Sequence, residues 1–169
     1  MSIFQSKVTK PSQVVRAMID GLNHHCTRDD FEVNMEVFID KLVYKNLCIG
    51  CAATCAIQEV LNKEITRDDL AREEEFDLKL EANRFDLYSH LFHTDHNETN
   101  AIMLFESLVE HLRTGDIVGL LQFYECKQED IDNILDSWED NLPVLTTRTW
   151  EENIKSYELF AKDLEAINL

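Results

Sequence analysis

Three groups of side chains in this sequence have types and spacings that chemistry can use. Cys48, Cys51 and Cys55 fall at i, i+3 and i+7, so on a helix all three thiols share one face. Thiolates on successive turns suit a soft ion such as zinc, with a fourth ligand drawn from Cys26, Cys126 or a histidine. The spacing is not that of a zinc ribbon, and an iron–sulfur cluster needs further ligands. The bland alternative is packing: cysteine behaves as a small hydrophobe, and its neighbours here are Ala52, Ala53, Thr54 and Ala56. Packing is the leading expectation. A third reading makes Cys51 a nucleophile. If residues 46–50 are loop, Cys51 opens the helix, where a thiol pKa is lowered. It would need a base from His24, His25, His90, His93, His96 or His111, and no family signature singles one out.

The second group is His90, His93 and His96, followed by Glu98. Imidazoles and carboxylates at short spacing can hold zinc, but the pattern is not His-Glu-x-x-His. Histidines at a helix C-terminus also complement the helix dipole, and that is the expectation for this run and for His24-His25.

The third group is acidic. Between Glu125 and Asp140 stand seven acidic residues and one basic one, Lys127. On the helix carrying Ile131, Ile134, Leu135 and Trp138, the polar positions are Glu129, Asp130, Asp132, Asp136, Glu139 and Asp140. A solvated face usually mixes both signs; a face of one sign steers a basic partner. A basic protein is therefore the expected partner, and an immunity or inhibitor protein is the concrete form of the expected function. The alternatives are a thiol- or metal-dependent enzyme or sensor using Cys48, Cys51 and Cys55, and a nucleic-acid mimic. An enzyme is the less expected outcome, and no cofactor is expected, zinc being the single candidate.

The charge supports this direction. The net charge is −17 over 169 residues. Residues 1–63 carry seven basic and seven acidic side chains, while residues 64–169 carry nine and 26. Direct binding to nucleic acid or to anionic membranes is disfavoured, because both require a basic footprint. No calcium loop, phosphate-binding glycine loop, dinucleotide fingerprint or Gly-x-Ser-x-Gly elbow occurs. No apolar run reaches the length of a membrane span, and the N-terminus lacks the apolar core of a signal peptide. A cytoplasmic location with reduced thiols is the expectation.

The elements that must position these residues read as helices. Four glycines and two prolines are too few for a sandwich or barrel. The expected fold class is all-α: one domain over residues 1–169, about eight helices, and a central small-residue, cysteine-bearing helix over 46–62. Val14, Val15, Met18, Ile19 and Leu22 form a stripe on a helix over 12–25, capped by Ser12. Residues 30–44 read as a helix opened by Asp29 and Glu32, against a competing strand alternation over 31–37 that lacks an evident partner. Thr66 with Asp69 opens a short charged helix, and residues 72–82 are expected to be exposed and irregular. Further helices carry Phe85 to Phe92, Ile102 to Leu112, Ile117 to Tyr124, Ile131 to Trp138 and Trp150 to Leu164. Gly115 suits a C-cap, Asp116 an N-cap, and Thr149 with Glu152 a capping box. Trp138 and Trp150 are expected in the core.

Overall fold

A computed structural model describes residues 2–42, 47–73, 84–145 and 150–169. Its elements in chain order are α1 (Ile3–Lys7), α2 (Pro11–His25), β1 (Phe31–Val33), β2 (Ile39–Leu42), β3 (Leu47–Gly50), α3 (Ala52–Leu61), α4 (Arg67–Glu73), α5 (Arg84–Phe92), α6 (His96–Thr114), α7 (Ile117–Phe123), α8 (Gln128–Trp138) and α9 (Trp150–Ala166). The fold is mostly α-helical, with one small sheet.

α2 begins at Pro11 because proline's fixed φ suits a first helical turn. Ser12 is therefore inside the helix and does not cap it. The Gln13 carboxamide takes over, accepting from the amides of Thr9 (2.7 Å) and Lys10 (3.1 Å). The predicted stripe Val14, Val15, Met18, Ile19 and Leu22 is buried throughout. It packs on α3, in which Glu59 alone is not fully buried. A helix of Ala, Cys and Thr has little side-chain bulk, so the two backbones come close. A Cβ built on Gly21 would lie 2.5 Å from the Cys55 carbonyl oxygen.

The helix expected over 46–62 is shorter. Residues 47–50 form β3, Cys51 takes an extended N-cap conformation, and Asn62 ends the helix in the left-handed region at φ 52°. The expected helix over 30–44 is also absent: β1 and β2 occupy it. The three strands are ordered β1-β3-β2. Phe31 pairs with Cys48 in the parallel ladder, and Ile39 pairs with Gly50 in the antiparallel one. The strand signal at 31–37 thus prevails over 31–33. Its missing partner lay within the apolar run that read as helix. A short uncharged run fits a buried strand as well as a buried helix, and periodicity cannot separate the two.

The remaining helices follow the sequence. Thr66 and Asp69 cap α4 reciprocally: the Thr66 amide and hydroxyl donate to Asp69, whose amide donates back to the Thr66 hydroxyl. Gly115, at φ 83°, closes α6, and Asp116 accepts from the Gly119 amide to start α7. Trp138 and Trp150 are buried as expected; Trp138 meets Phe160 edge-on at 5.4 Å, and its indole N–H donates to Asp163. Thr149 and most of 72–82 lie outside the described residues. α1 was not foreseen; Glu98 of α6 holds it by accepting the Ile3 amide on both carboxylate oxygens, at 2.8 and 3.1 Å. Among the described residues no helix is long and apolar enough to cross a membrane.

Candidate functional site

α8 presents the acidic residues as the sequence arranged them. Ile131, Ile134 and Trp138 face inward, which leaves Glu129, Asp132, Asp136, Glu139 and Asp140 exposed and Asp130 half-buried. Some acidic groups elsewhere are paired with an arginine within the fold. Glu165 meets Arg16 at 2.7 Å, Asp30 meets Arg28 at 2.9 Å, and Glu110 meets Arg113 at 2.7 Å. Among the described residues none of the six α8 carboxylates has an ion-pair partner. Asp132 accepts one neutral bond, from Gln128 at 2.9 Å.

Helix electrostatics divides the six. Glu129 and Asp130 occupy the first turn, where the dipole favours negative charge. Asp136, Glu139 and Asp140 lie at or just beyond the last turn, which contains no basic residue. Glu129–Asp132, Asp132–Asp136 and Asp136–Glu139 are like-charged pairs at i,i+3 or i,i+4, each costing about 0.2–0.5 kcal/mol. The C-terminal half of the face is thus unfavourable for the isolated helix.

The cysteines are not on one helix face. Cys48 is in the middle strand of the sheet, Cys51 caps α3, and Cys55 is inside α3. All three are buried. Burial pushes the Cys48 thiol up to about 11 and holds the Cys55 thiol well above the ordinary thiol range. Cys51 does stand at the start of α3, as the nucleophile reading required, but residues 47–50 before it are strand and not the loop that reading assumed. Its burial nevertheless raises the pKa, outweighing the pull of the Thr54 and Ala53 amides.

His90, His93 and His96 are exposed. His93 ends α5 at φ 51°, and His96 opens α6 with its ring 5.0 Å from Phe85. Neither this trio nor the cysteine trio brings three ligand atoms close together. Among the described residues the trio that does is His24, His25 and Glu59, whose ligand atoms lie within 4.8 Å of one another. The arrangement suits an ion poorly. The two imidazoles stack at 4.5 Å with 17° between their planes, and nitrogen lone pairs lie in the ring planes, so they do not meet at one point. Both His24 nitrogens are already engaged at 3.0 Å, by Glu59 and Glu64. Arg28 sits 2.9 Å from His25 Nδ1 and repels any cation. The cluster is a clasp between α2 and α3, in which Arg28 also grips Asp30, Gln58 and the Ile65 carbonyl.

One polar centre was missed. Glu106 is buried, accepts from the Tyr88 hydroxyl at 2.7 Å and pairs with Arg84, whose guanidinium lies 4.6 Å from the centre of the Phe38 ring. Burial raises the Glu106 pKa, against the pull of Tyr88 and Arg84. Its signal was available: Glu106 lies within the stripe of Ile102, Phe105 and Val109, where a charge needs a partner.

Comparison with family models, with curated proteins and with solved structures gives no match.

Proposed function

We propose that this chain is a helical interaction protein of the immunity or inhibitor type, which binds a basic protein through the acidic face of α8. The observation that carries the reading is a cluster of six carboxylates over residues 129–140, five of them exposed, none of which has an ion-pair partner among the described residues. Exposed charge of one sign accelerates encounter with the opposite sign. The C-terminal half of the face supplies Asp132, Asp136, Glu139 and Asp140, where no local need for negative charge exists.

Reversal of Asp132, Asp136 and Asp140 to Lys tests both halves of this argument. Binding of the basic partner captured from native lysate, titrated as purified protein, should weaken with rising salt in the wild type and vanish in the variant. The variant's own fold should gain about 1 kcal/mol, because the reversed positions 132 and 136 form opposite-charge pairs with Glu129 and Glu139 and cations stand near the helix C-terminus, while 132 and 136 stay like-charged. A variant that binds as the wild type does, or that loses stability, would sink the proposal.

A further inference from the structure

Among the described residues one buried side-chain nitrogen or oxygen has no hydrogen-bond partner: Nε2 of His25, in the clasp between α2 and α3. The residue is 1% exposed. The contact at its other ring nitrogen fixes the tautomer. Arg28 Nη1 lies 2.9 Å from His25 Nδ1, and a guanidinium can only donate, so Nδ1 accepts and Nε2 carries the proton. The ring therefore fits its site only as a neutral group. A second proton, on Nδ1, would set a donor against a donor and a cation against a cation.

The charges packed around the ring do not compensate such a proton. His24 of α2 stacks on it at 4.5 Å. Arg28 and Asp30 come from the connection to β1, Glu59 from α3 and Glu64 from the segment after α3. The thiols of Cys48 in β3 and Cys55 in α3 are neutral, and Arg67 and Asp69 of α4 act on the Cys48 side. Each carboxylate of the clasp already serves another cation: Asp30 holds Arg28 at 2.9 Å, and Glu59 and Glu64 hold His24, both at 3.0 Å. Those two bonds favour the charged form of His24, so it protonates first. A charged His25 would then lie between two cations. Arg28, with its side chain 7% exposed, is what such a charge would displace. It donates to Gln58 at 3.1 Å and to the Ile65 carbonyl at 2.8 Å. It also holds Asp30, whose carbonyl accepts the Cys48 amide at 2.9 Å, directly before the pair of Phe31 with Cys48.

We propose that His25 is a proton-operated latch: a second proton on its ring expels Arg28 from the clasp, frees β1 from β3 and uncovers Cys48 while most of the helical structure persists. The latch does not involve α8 and is independent of the acidic-face reading. The closed clasp excludes the proton, and the open one takes it at the ordinary histidine value. Opening therefore rises as pH falls below 6.5, by about tenfold per pH unit, until the ring is protonated in place at about 4. Arg28 holds Asp30 below the usual carboxylate range, so that carboxylate titrates beneath this window.

The probe is dithiodipyridine, which reacts with thiols in acid. Labelling of Cys48 is located by mass spectrometry, and its rate is divided by that of the same thiol in the urea-unfolded chain at the same pH. From pH 6.5 down toward 4 this ratio should rise about tenfold per unit, with far-UV circular dichroism largely retained. His25→Asn keeps an acceptor at the place of Nδ1 and cannot titrate, so its ratio should stay flat. A flat ratio in the wild type, an equal rise in His25→Asn, or ellipticity lost in step with labelling overturns the latch. Nitrogen NMR of the wild type reads the same claim without a variant. Below pH 6.5 the His25 ring of the folded protein should keep its proton on Nε2 and none on Nδ1. An imidazolium at His25 while Cys48 is still protected overturns the proposal.

Discussion

Of the four glycines, Gly21 is the one beside which the fold leaves least room for a side chain, so Gly21→Ala tests that close approach. The added Cβ would lie 2.5 Å from the Cys55 oxygen, 2.6 Å from its carbonyl carbon and 2.9 Å from the Ala56 nitrogen. Ordinary contact begins near 3.4 Å, so α2 and α3 must separate by about 1 Å. A gap of that size forfeits a quarter to a half of the dispersion attraction between facing atoms. Overfilled cores lose about 1–3 kcal/mol, and more where nothing can yield. Alanine returns about 1 kcal/mol of helix propensity. The net expectation is a loss of about 2 kcal/mol, or a Tm lower by roughly 4–8 °C for a chain of this length. Urea unfolding followed by circular dichroism measures it. Ala56→Gly should not rescue the variant, because the clash is with backbone. Gly119→Ala is the control: its Cβ would meet only the ends of the His111 and Asp116 side chains, which can move, so stability should stay within about 1 kcal/mol. A Gly21→Ala protein within 0.5 kcal/mol of the wild type, roughly the scatter of surface substitutions, would refute the close-approach argument.

Three further outcomes follow from the same geometry. With Ellman's reagent, exposed Cys26 and half-buried Cys126 should react in the native protein, while Cys48, Cys51 and Cys55 should wait for denaturant; rapid labelling of Cys51 would contradict its burial. His25, held down to about 4 by burial and Arg28, stays neutral in the fold, so the unfolded chain takes the proton first. The stability it contributes is complete above pH 6.5 and lost as pH falls toward 4, at most about 3 kcal/mol. His24, raised by its hydrogen bond to Glu59, has the opposite sign: its smaller contribution is present below pH 6.5 and lost as pH rises through its folded pKa. Urea titrations of His25→Gln should show a flattened acid limb, and an unchanged limb would count against this account. Tyr88→Phe removes the hydroxyl that serves buried Glu106 and should cost about 1.5–3 kcal/mol, with Glu106→Gln costing less because it keeps an acceptor; equal unfolding midpoints for wild type and Tyr88→Phe would remove Glu106 from the interior.

The sequence was legible where local chemistry decides the outcome. Val14 to Leu22, Ile131 to Trp138, the Gly115 cap and the Thr66–Asp69 pair each act within a few residues, and each is found as read. It was opaque where a distant partner decides. Phe31–Val33 is a strand because Cys48–Gly50 lies beside it, and that pairing joins residues 17 apart. Cys48 is pulled into the sheet, which removes it from the helix face that the cysteine spacing implied. The acidic face was legible because α8 is amphipathic. The clasp was not, because His24 and Arg28 meet Gln58, Glu59 and Glu64 only in the folded chain.

The strand order has a consequence for how the chain reaches its native state. β3 is the last strand in sequence and the middle one in space, so β1 and β2 share no ladder with each other. Neither can be satisfied until β3 arrives between them, and β3 is joined through Cys51 to the start of α3. α3 in turn is seated only when its backbone slides against Gly21. Sheet closure and the docking of α2 on α3 are therefore expected to form together. Native-state hydrogen exchange should show the amides of β1, β3 and α3 opening together, as one cooperative unit.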